Sequence, residues 1–367
     1  MQNIFCFSKE ATDVAFTDRR KEIERIKQHI RNSIHFFVVS PRRMGKTWLL
    51  TKVSEEVEKE GIDTMWIDIS SIATIRALAK EIVKGVFLIA KKNFSFENPV
   101  NFLKMLPVEI TQNINMSISI KGVSVDVRDE NVTDTIIGTL KTLDSFRNRS
   151  LVVFDEFQDI ATAYPEFLNA LRSVAQHSKH ISYAFMGSKR TMMEEIFSNP
   201  KSIMYHMGAK IVLGPIPEEE MRLLIRRGFS VARIEYEEEA VDEIVKVTEG
   251  LPYYAQYLGY YVLLRENKKI TKETVKETIN VIIDEDSADF DMKLSMKGWK
   301  YIRPILSYIS HNGSSKGIYA SIENVNKGTI SYYLNFLEKE EILYKDKEYY
   351  KMTNPFFRIY IRRKLIL

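Results

Sequence analysis

The sequence predicts an α/β fold built on a parallel sheet, and three stretches carry that prediction. Ile34 to Val39 is a short apolar strand that runs into Ser40-Pro41-Arg42-Arg43-Met44-Gly45-Lys46-Thr47 and then into an apolar helix opened by Trp48-Leu49-Leu50. Leu151-Val152-Val153-Phe154 is a second apolar strand, ending in Asp155-Glu156, and Tyr183 to Met186 is a third, ending in Gly187-Ser188-Lys189-Arg190. Strands that are apolar throughout, without alternation, suit a parallel sheet covered by helices on both faces. With 367 residues the chain has room for two to three domains. At 45% hydrophobic and 28% charged residues it is not a mostly disordered chain.

The first stretch fits the phosphate-binding pattern Gly-x-x-x-x-Gly-Lys-Ser/Thr, with Ser40 in place of the first glycine. The required context of strand, loop and helix is present. In such a loop, successive backbone N–H groups and the following helix N-terminus form a concave donor site for phosphate. That assigns Pro41, Arg42, Arg43, Met44, Gly45, Lys46, Thr47 and Trp48 to the nucleotide cradle. Gly45 lets the backbone approach a phosphate closely, Lys46 neutralises the β- and γ-phosphates, and the Thr47 hydroxyl ligates Mg²⁺. The competing reading is a chance basic turn between a strand and a helix.

Asp155 and Glu156 leave their strand at its C-terminal end, where open α/β sheets bind ligands. Asp155 then holds Mg²⁺ through a water, and Glu156 is the candidate general base for an attacking water. An acidic helix cap explains the same pair without chemistry. Ser188, at the tip of the next strand, is placed to touch a γ-phosphate or simply to cap its loop, and Arg190 to reach a phosphate or a neighbouring chain. Elsewhere in the core, Ile62 to Ser70 reads as a strand and Ile75 to Lys92 as a helix. Asn115 to Asp129 alternates apolar and polar residues around Lys121-Gly122, as a hairpin inserted in the α/β core would.

These residues resemble the archaeal ATPase family of the AAA+/STAND P-loop class, whose members carry a C-terminal winged helix. The resemblance rests on Phe16-Thr17-Asp18-Arg19-Arg20-Lys21-Glu22-Ile23, Pro41 to Thr47, Phe154 to Gln158, Gly187-Ser188 and Glu249-Gly250-Leu251-Pro252. It implies a P-loop NTPase, AAA+-like, that uses ATP/ADP with Mg²⁺, has a helical lid after the core and switches conformation with nucleotide. It also places Phe16 and Arg19 near the adenine and makes Pro252 a sensor of nucleotide state. Local chemistry offers another account of the turn at Pro252: Gly250 ends one helix (Glu238 to Thr248) and Pro252 opens the next (Tyr253 to Arg265). No motif singles out an arginine finger; Arg190, Arg226 and Arg227 are the candidates. ATP is expected over GTP because no Asn-Lys-x-Asp motif follows the loop, Asn326-Lys327-Gly328-Thr329 lacking the aspartate.

The acidic run Asp284 to Asp291 reads as a solvated linker or a helix end, giving expected domains of 1–212, 213–288 and 289–367. Beyond it come helix patterns at Trp299 to Ser310, Gly317 to Ile322 and Lys327 to Glu340, then a hairpin from Ile342 to Met352, which is the order of a winged helix. In that fold Lys327, Thr329, Ser331, Tyr332 and Asn335 can face DNA. Net charge is +4, but residues 291–367 hold 14 Lys and Arg against 7 Asp and Glu, an excess of +7 that leaves −3 for the rest. DNA is one partner such a module takes, and a protein surface is the other. An ATP-driven switch, a DNA-binding regulator with structural nucleotide and an oligomeric nucleic-acid remodelling motor are therefore the three functional readings, with the oligomeric state open.

The remaining features narrow the setting. Cys6 is the single cysteine, so no internal disulfide forms, and a cytoplasmic location is expected. The longest apolar runs, such as Tyr257 to Leu264, fall far short of the ~20 residues that span a bilayer, so no membrane partner is expected. His177 and His180 have no Cys or acidic neighbours that would make a metal site.

Overall fold

The computed structural model describes Phe5 and residues 19–94, 98–119, 122–128, 131–266, 268–323 and 325–365. Phe16, Thr17, Asp18, Cys6, Lys121 and Asp129 lie outside the described residues. The chain forms two compact units, one of Arg20–Ser40 and Leu49–Val212, the other of Met1–Arg19, Pro41–Trp48 and Leu213–Leu367.

The first unit is a mixed α/β layer structure. Its strands are β1 (Phe36–Val39), β2 (Asp63–Asp68), β3 (Ile114–Ser119), β4 (Gly122–Val127), β5 (Ser150–Asp155), β6 (Ile181–Met186) and β7 (Ala209–Val212). Five of them make one parallel sheet in the order β2-β5-β6-β1-β7. β1 and β6 are buried along their whole length and β5 up to its last residue, as their continuous apolar runs require, whereas the edge strands β2 and β7 alternate. Aromatic rings tie the layers: Phe185 stacks on Phe154 at 5.8 Å and meets Phe157 at 4.7 Å and Phe197 at 5.0 Å. Because β5, β6 and β1 are consecutive neighbours and parallel, the ends at Asp155, Met186 and Val39 share one edge of the sheet.

Two expected boundaries shift for local reasons. β1 starts at Phe36, not Ile34, because Ser33 is left-handed (φ 54) and the Ile34 amide still bonds His29 at the end of helix Arg20–Arg31. β2 stops at Asp68, whose Oδ1 accepts from the Ser70 amide at 3.0 Å and starts a 3₁₀ turn. Helix Ile75–Phe94 packs against helix Val132–Ser145 and against β4. β3 and β4 form the expected antiparallel hairpin, with Ile114 opposite Val127 at its buried base. Asp126 on β4 pairs with Arg76 at 3.2 Å and Lys80 at 2.9 Å.

The second unit is helical. Helices Glu218–Ala232, Glu238–Thr248, Pro252–Arg265 and Lys272–Glu285 pack on one another, and two short parallel strands, β8 (Glu235–Tyr236) and β9 (Lys269–Ile270), clip them together. The Phe5 ring sits in a notch over Gly228 and Gly259, where an added Cβ would lie 2.0 and 2.8 Å from it. Helices Trp299–Asn312, Ile318–Ser321 and Lys327–Lys339 follow, then the antiparallel pair β10 (Leu343–Asp346) and β11 (Tyr349–Met352). One hydrophobic core runs from Phe5 through to Leu365. Of the two readings of the acidic run, a helix end is what is found: helix Lys272–Glu285 meets helix Ser287–Leu294 there, and Phe290 is buried against Phe357 and Tyr360. Sequence patterning missed a last helix, Pro355–Lys364, which is capped by the Asn354 side chain and packs on Trp299–Asn312 and Lys272–Glu285. Among the described residues no helix is long and apolar enough to cross a membrane.

Candidate functional site

The phosphate-type loop leaves β1 and groups with the helical unit. Helix Lys46–Lys59 begins at the lysine itself, so the N–H groups of its first turn have no carbonyl partner within the helix. Gly45 is left-handed (φ 82) with nothing within 4 Å of where a Cβ would stand, so the backbone faces open space there. Ser40, the departure from the motif, needs no glycine, because it stays out of the left-handed region; further along the loop Arg43 is left-handed (φ 66). Lys46 is buried and its Nζ donates to the Pro41 carbonyl at 3.0 Å, folding the side chain back across the loop. Thr47 is exposed, Trp48 is half-buried, and Met44 buries its side chain in the hydrophobic core, which leaves only its backbone to face a ligand.

Both loop arginines reach residues far along the chain. Arg42 forms an ion pair with Glu341 at 3.2 Å. Arg43 donates to the Tyr254 hydroxyl at 2.5 Å and lies 4.3 Å over the Tyr253 ring. Burial pushes the Tyr254 hydroxyl up to about 12, against the opposing pull of Arg43, so it stays a neutral acceptor. Arg19 is buried and donates to the carbonyls of Gly214 at 2.6 Å and Met44 at 3.5 Å, bracing the loop from below. Pro252 is buried at the first turn of its helix. The preceding Gly250 (φ 77) accepts from the Ile216 amide at 2.8 Å, and a Cβ there would stand 2.4 Å from the Ile216 carbonyl oxygen. Left-handed backbone and close approach together account for that glycine.

In the sheet unit, Asp155 ends β5 half-buried and its Oδ1 accepts from the Glu156 amide at 2.8 Å. Glu156 is left-handed (φ 52, ψ 39) and starts helix Phe157–Ala163. Its Oε2 accepts from the Ser188 amide at 3.0 Å, the Ser188 hydroxyl at 2.8 Å and the Gln158 side-chain amide at 2.6 Å. Ser188 is thus brought to the carboxylate, an arrangement that neither sequence reading of it contained. Arg190 pairs with Glu194 on its own helix at 3.5 Å, and Arg226 is held by Glu238 at 2.7 Å. Gln158, Tyr253, Tyr254 and Glu341 carried no assigned role in the sequence; of these, Gln158 alone stands within a recognised motif, two residues after Glu156.

A five-stranded parallel sheet, a Gly-Lys-Thr loop leaving a central strand and a carboxylate pair at the same sheet edge define a P-loop ATPase. Residues 16–258 match the family described as an ATPase domain predominantly from Archaea, and the chain belongs to that family. The resemblance read from the motifs is thereby borne out at the level of the archaeal ATPase family. Solved structures share the fold. The Walker-type ATPase PABY2304 of Pyrococcus abyssi superposes with a TM-score of 0.66 at 16% identity, over 98% of this chain and 99% of that one. The ORC2 protein of Aeropyrum pernix, solved as ADPNP-ADP complexes, gives 0.56 at 12% identity over 99% and 98%. The ORC1 protein of Aeropyrum pernix, solved in complex with DNA, gives 0.50 at 12% identity over 99% and 96%. No curated protein sequence matches the chain.

Proposed function

We propose that the protein is an ATP-hydrolysing switch in which the state of the nucleotide is passed from the phosphate loop to the C-terminal module. The observation that carries this reading is the Arg42–Glu341 ion pair at 3.2 Å, which ties the phosphate loop to the segment between helix Lys327–Lys339 and β10. A charge that belongs to the nucleotide cradle is engaged by the module that would move. Lys46 and the loop amides bind the phosphates, the family resemblance assigns Phe16 and Arg19 to the adenine, and Pro252 follows the nucleotide from the lid, residues 213–288. The hydroxyl of Thr47 and the carboxylate of Asp155 are hard oxygen donors of the kind Mg²⁺ takes, and they would hold it. Bound there, the ion would supply charge neutralisation for the phosphoryl group. Glu156 orients and deprotonates the attacking water, with Ser188 against its carboxylate.

Phosphate release from ATP, measured on the full chain with Lys46→Ala and Glu156→Gln as variants, tests the reading. Lys46→Ala is expected to lose nucleotide binding, and Glu156→Gln to bind but not turn over. Turnover that survives both substitutions refutes the site. Duplex DNA is the second reading for the module's partner, favoured by its +7 charge and by Tyr332, 64% exposed on helix Lys327–Lys339, whose first residue Lys327 is also exposed. Duplex binding by the full chain that weakens steeply with salt supports it; absence of binding at low salt excludes it.

A further inference from the structure

We propose that Gln158 is a positioning residue of the hydrolytic centre: from helix Phe157–Ala163 it clamps the Glu156 carboxylate and so fixes the direction in which that base faces. The proposal rests on the reading of Glu156 as the base. Gln158 is only 1% exposed, an unusual place for an amide, and its Nε2 donates to Glu156 Oε2 at 2.6 Å and to Asp159 Oδ1 at 3.3 Å. Its Oε1 is buried and has no hydrogen-bond partner among the described residues. A buried amide with one end unbonded costs stability, so packing does not explain its presence; its bond to Glu156 does.

The surroundings are shaped to the same end. Gly187 precedes Ser188 at the tip of β6, and a Cβ on it would stand 1.9 Å from Gln158 Oε1 and 2.9 Å from Met193 Sδ. The glycine therefore leaves room for the amide, while the next residue delivers a second and a third donor to the same oxygen, at 3.0 and 2.8 Å. Charge-assisted bonds from two different elements converge on Oε2, which stops the carboxylate rotating and sets where its other oxygen points. A base acts only within hydrogen-bond reach of the proton that it takes, so the clamp acts on rate and not on nucleotide affinity.

The test compares steady-state ATP hydrolysis by the full-length chain and by Gln158→Leu, which keeps the volume and removes both polar ends. Expected is a loss of about 10- to 100-fold in kcat with KM for ATP within about threefold, and an unfolding midpoint at or above that of the parent because the unbonded Oε1 is gone. Placed in a Glu156→Gln background, the same substitution should cause no further loss. Unchanged kcat in Gln158→Leu, or a rise, overturns the clamp, provided Glu156→Gln is inactive. Turnover by Glu156→Gln at the parent rate would instead refute the reading of Glu156 on which the proposal stands. If Gln158→Leu does not fold, Gln158→Met takes its place: a fall in kcat at constant KM supports the clamp, and unchanged kcat refutes it.

Discussion

Neutralising Glu341 should tighten nucleotide binding, and the size of the effect follows from the exposure of the pair. The Arg42 side chain is 57% exposed and that of Glu341 32%, at 3.2 Å, so water and salt screen much of the attraction. Pairs of that kind contribute at most about 1 kcal/mol. If Arg42 must leave Glu341 before it can turn to a phosphate, that energy opposes binding, and at 1.4 kcal/mol per decade its removal strengthens affinity by at most about fivefold. Glu341→Gln keeps the shape and deletes the charge. Equilibrium titration with ADP or ATP at low salt is expected to give a dissociation constant about two- to fivefold lower than that of the parent. The difference should fade toward 1 M salt, where the screening length is about 3 Å. In an Arg42→Ala background the substitution should change nothing. An unchanged or weaker affinity for Glu341→Gln at low salt would show that the pair does not compete with the phosphates, and the coupling argument would fall with it.

Two further expectations concern stability. Gly250→Ala forces a left-handed alanine, worth about 1–2 kcal/mol, and puts a methyl 2.4 Å from the Ile216 carbonyl oxygen and 2.9 Å from Pro215 Cβ. Together these should destabilise the protein by about 2–4 kcal/mol, read as a lower urea midpoint; a midpoint equal to the parent's contradicts the packing described for that turn. Burial lowers the pKa of His35, against a smaller opposing effect of its bond to the Ala175 carbonyl, and burial followed by the nearby Arg25 lowers that of His29. Both therefore bind a proton less readily in the fold than in the unfolded chain, which takes up protons as pH falls through 6.5. Stability is fully present above 6.5 and is lost below it. Unfolding midpoints should drop between pH 7 and pH 5.5, and His35→Gln should flatten that drop; an equal slope in the variant rules His35 out as a cause.

Residues whose type is dictated by backbone chemistry were legible in the sequence. Gly45, Lys46 and Thr47 sit where strand, loop and helix require them, and the four apolar residues before Asp155 are those of a strand buried on both faces. The hairpin of β3 and β4 was legible because it alternates. Helix Pro355–Lys364 was not: Phe356, Phe357, Ile359, Tyr360 and Ile361 are aromatic or β-branched and individually favour strands. The Asn354 cap, Pro355 in the first turn and packing against three other helices, Trp299–Asn312, Lys272–Glu285 and Ser287–Leu294, override that preference. Contacts made across the fold were illegible for a different reason. Arg43 and Tyr254 are 211 residues apart, and Ser188 meets Glu156 across 32. No local pattern marks either pair, because each exists only once the sheet or the helical unit has formed.

The geometry of Arg43 shows how a left-handed residue other than glycine is held inside the phosphate loop. A left-handed residue other than glycine costs about 1 kcal/mol or more, and it persists where its surroundings hold it. Here the hold is the Tyr254 hydroxyl at 2.5 Å and the Tyr253 ring at 4.3 Å, the two residues that follow Pro252. A cation over a tyrosine ring, with a hydrogen bond to a neutral phenol beside it, contributes about 1 kcal/mol, comparable to that strain. The shape of the phosphate loop is therefore set partly by helix Pro252–Arg265 and not by loop sequence alone. Displacement of that helix would release Arg43 from the left-handed region and change the curvature of the loop. Loop and turn are thus tied to each other within the helical unit. Such a tie is what the proposed nucleotide-driven switch needs, and it is made by Arg43, three residues after the position where the sequence departs from the motif.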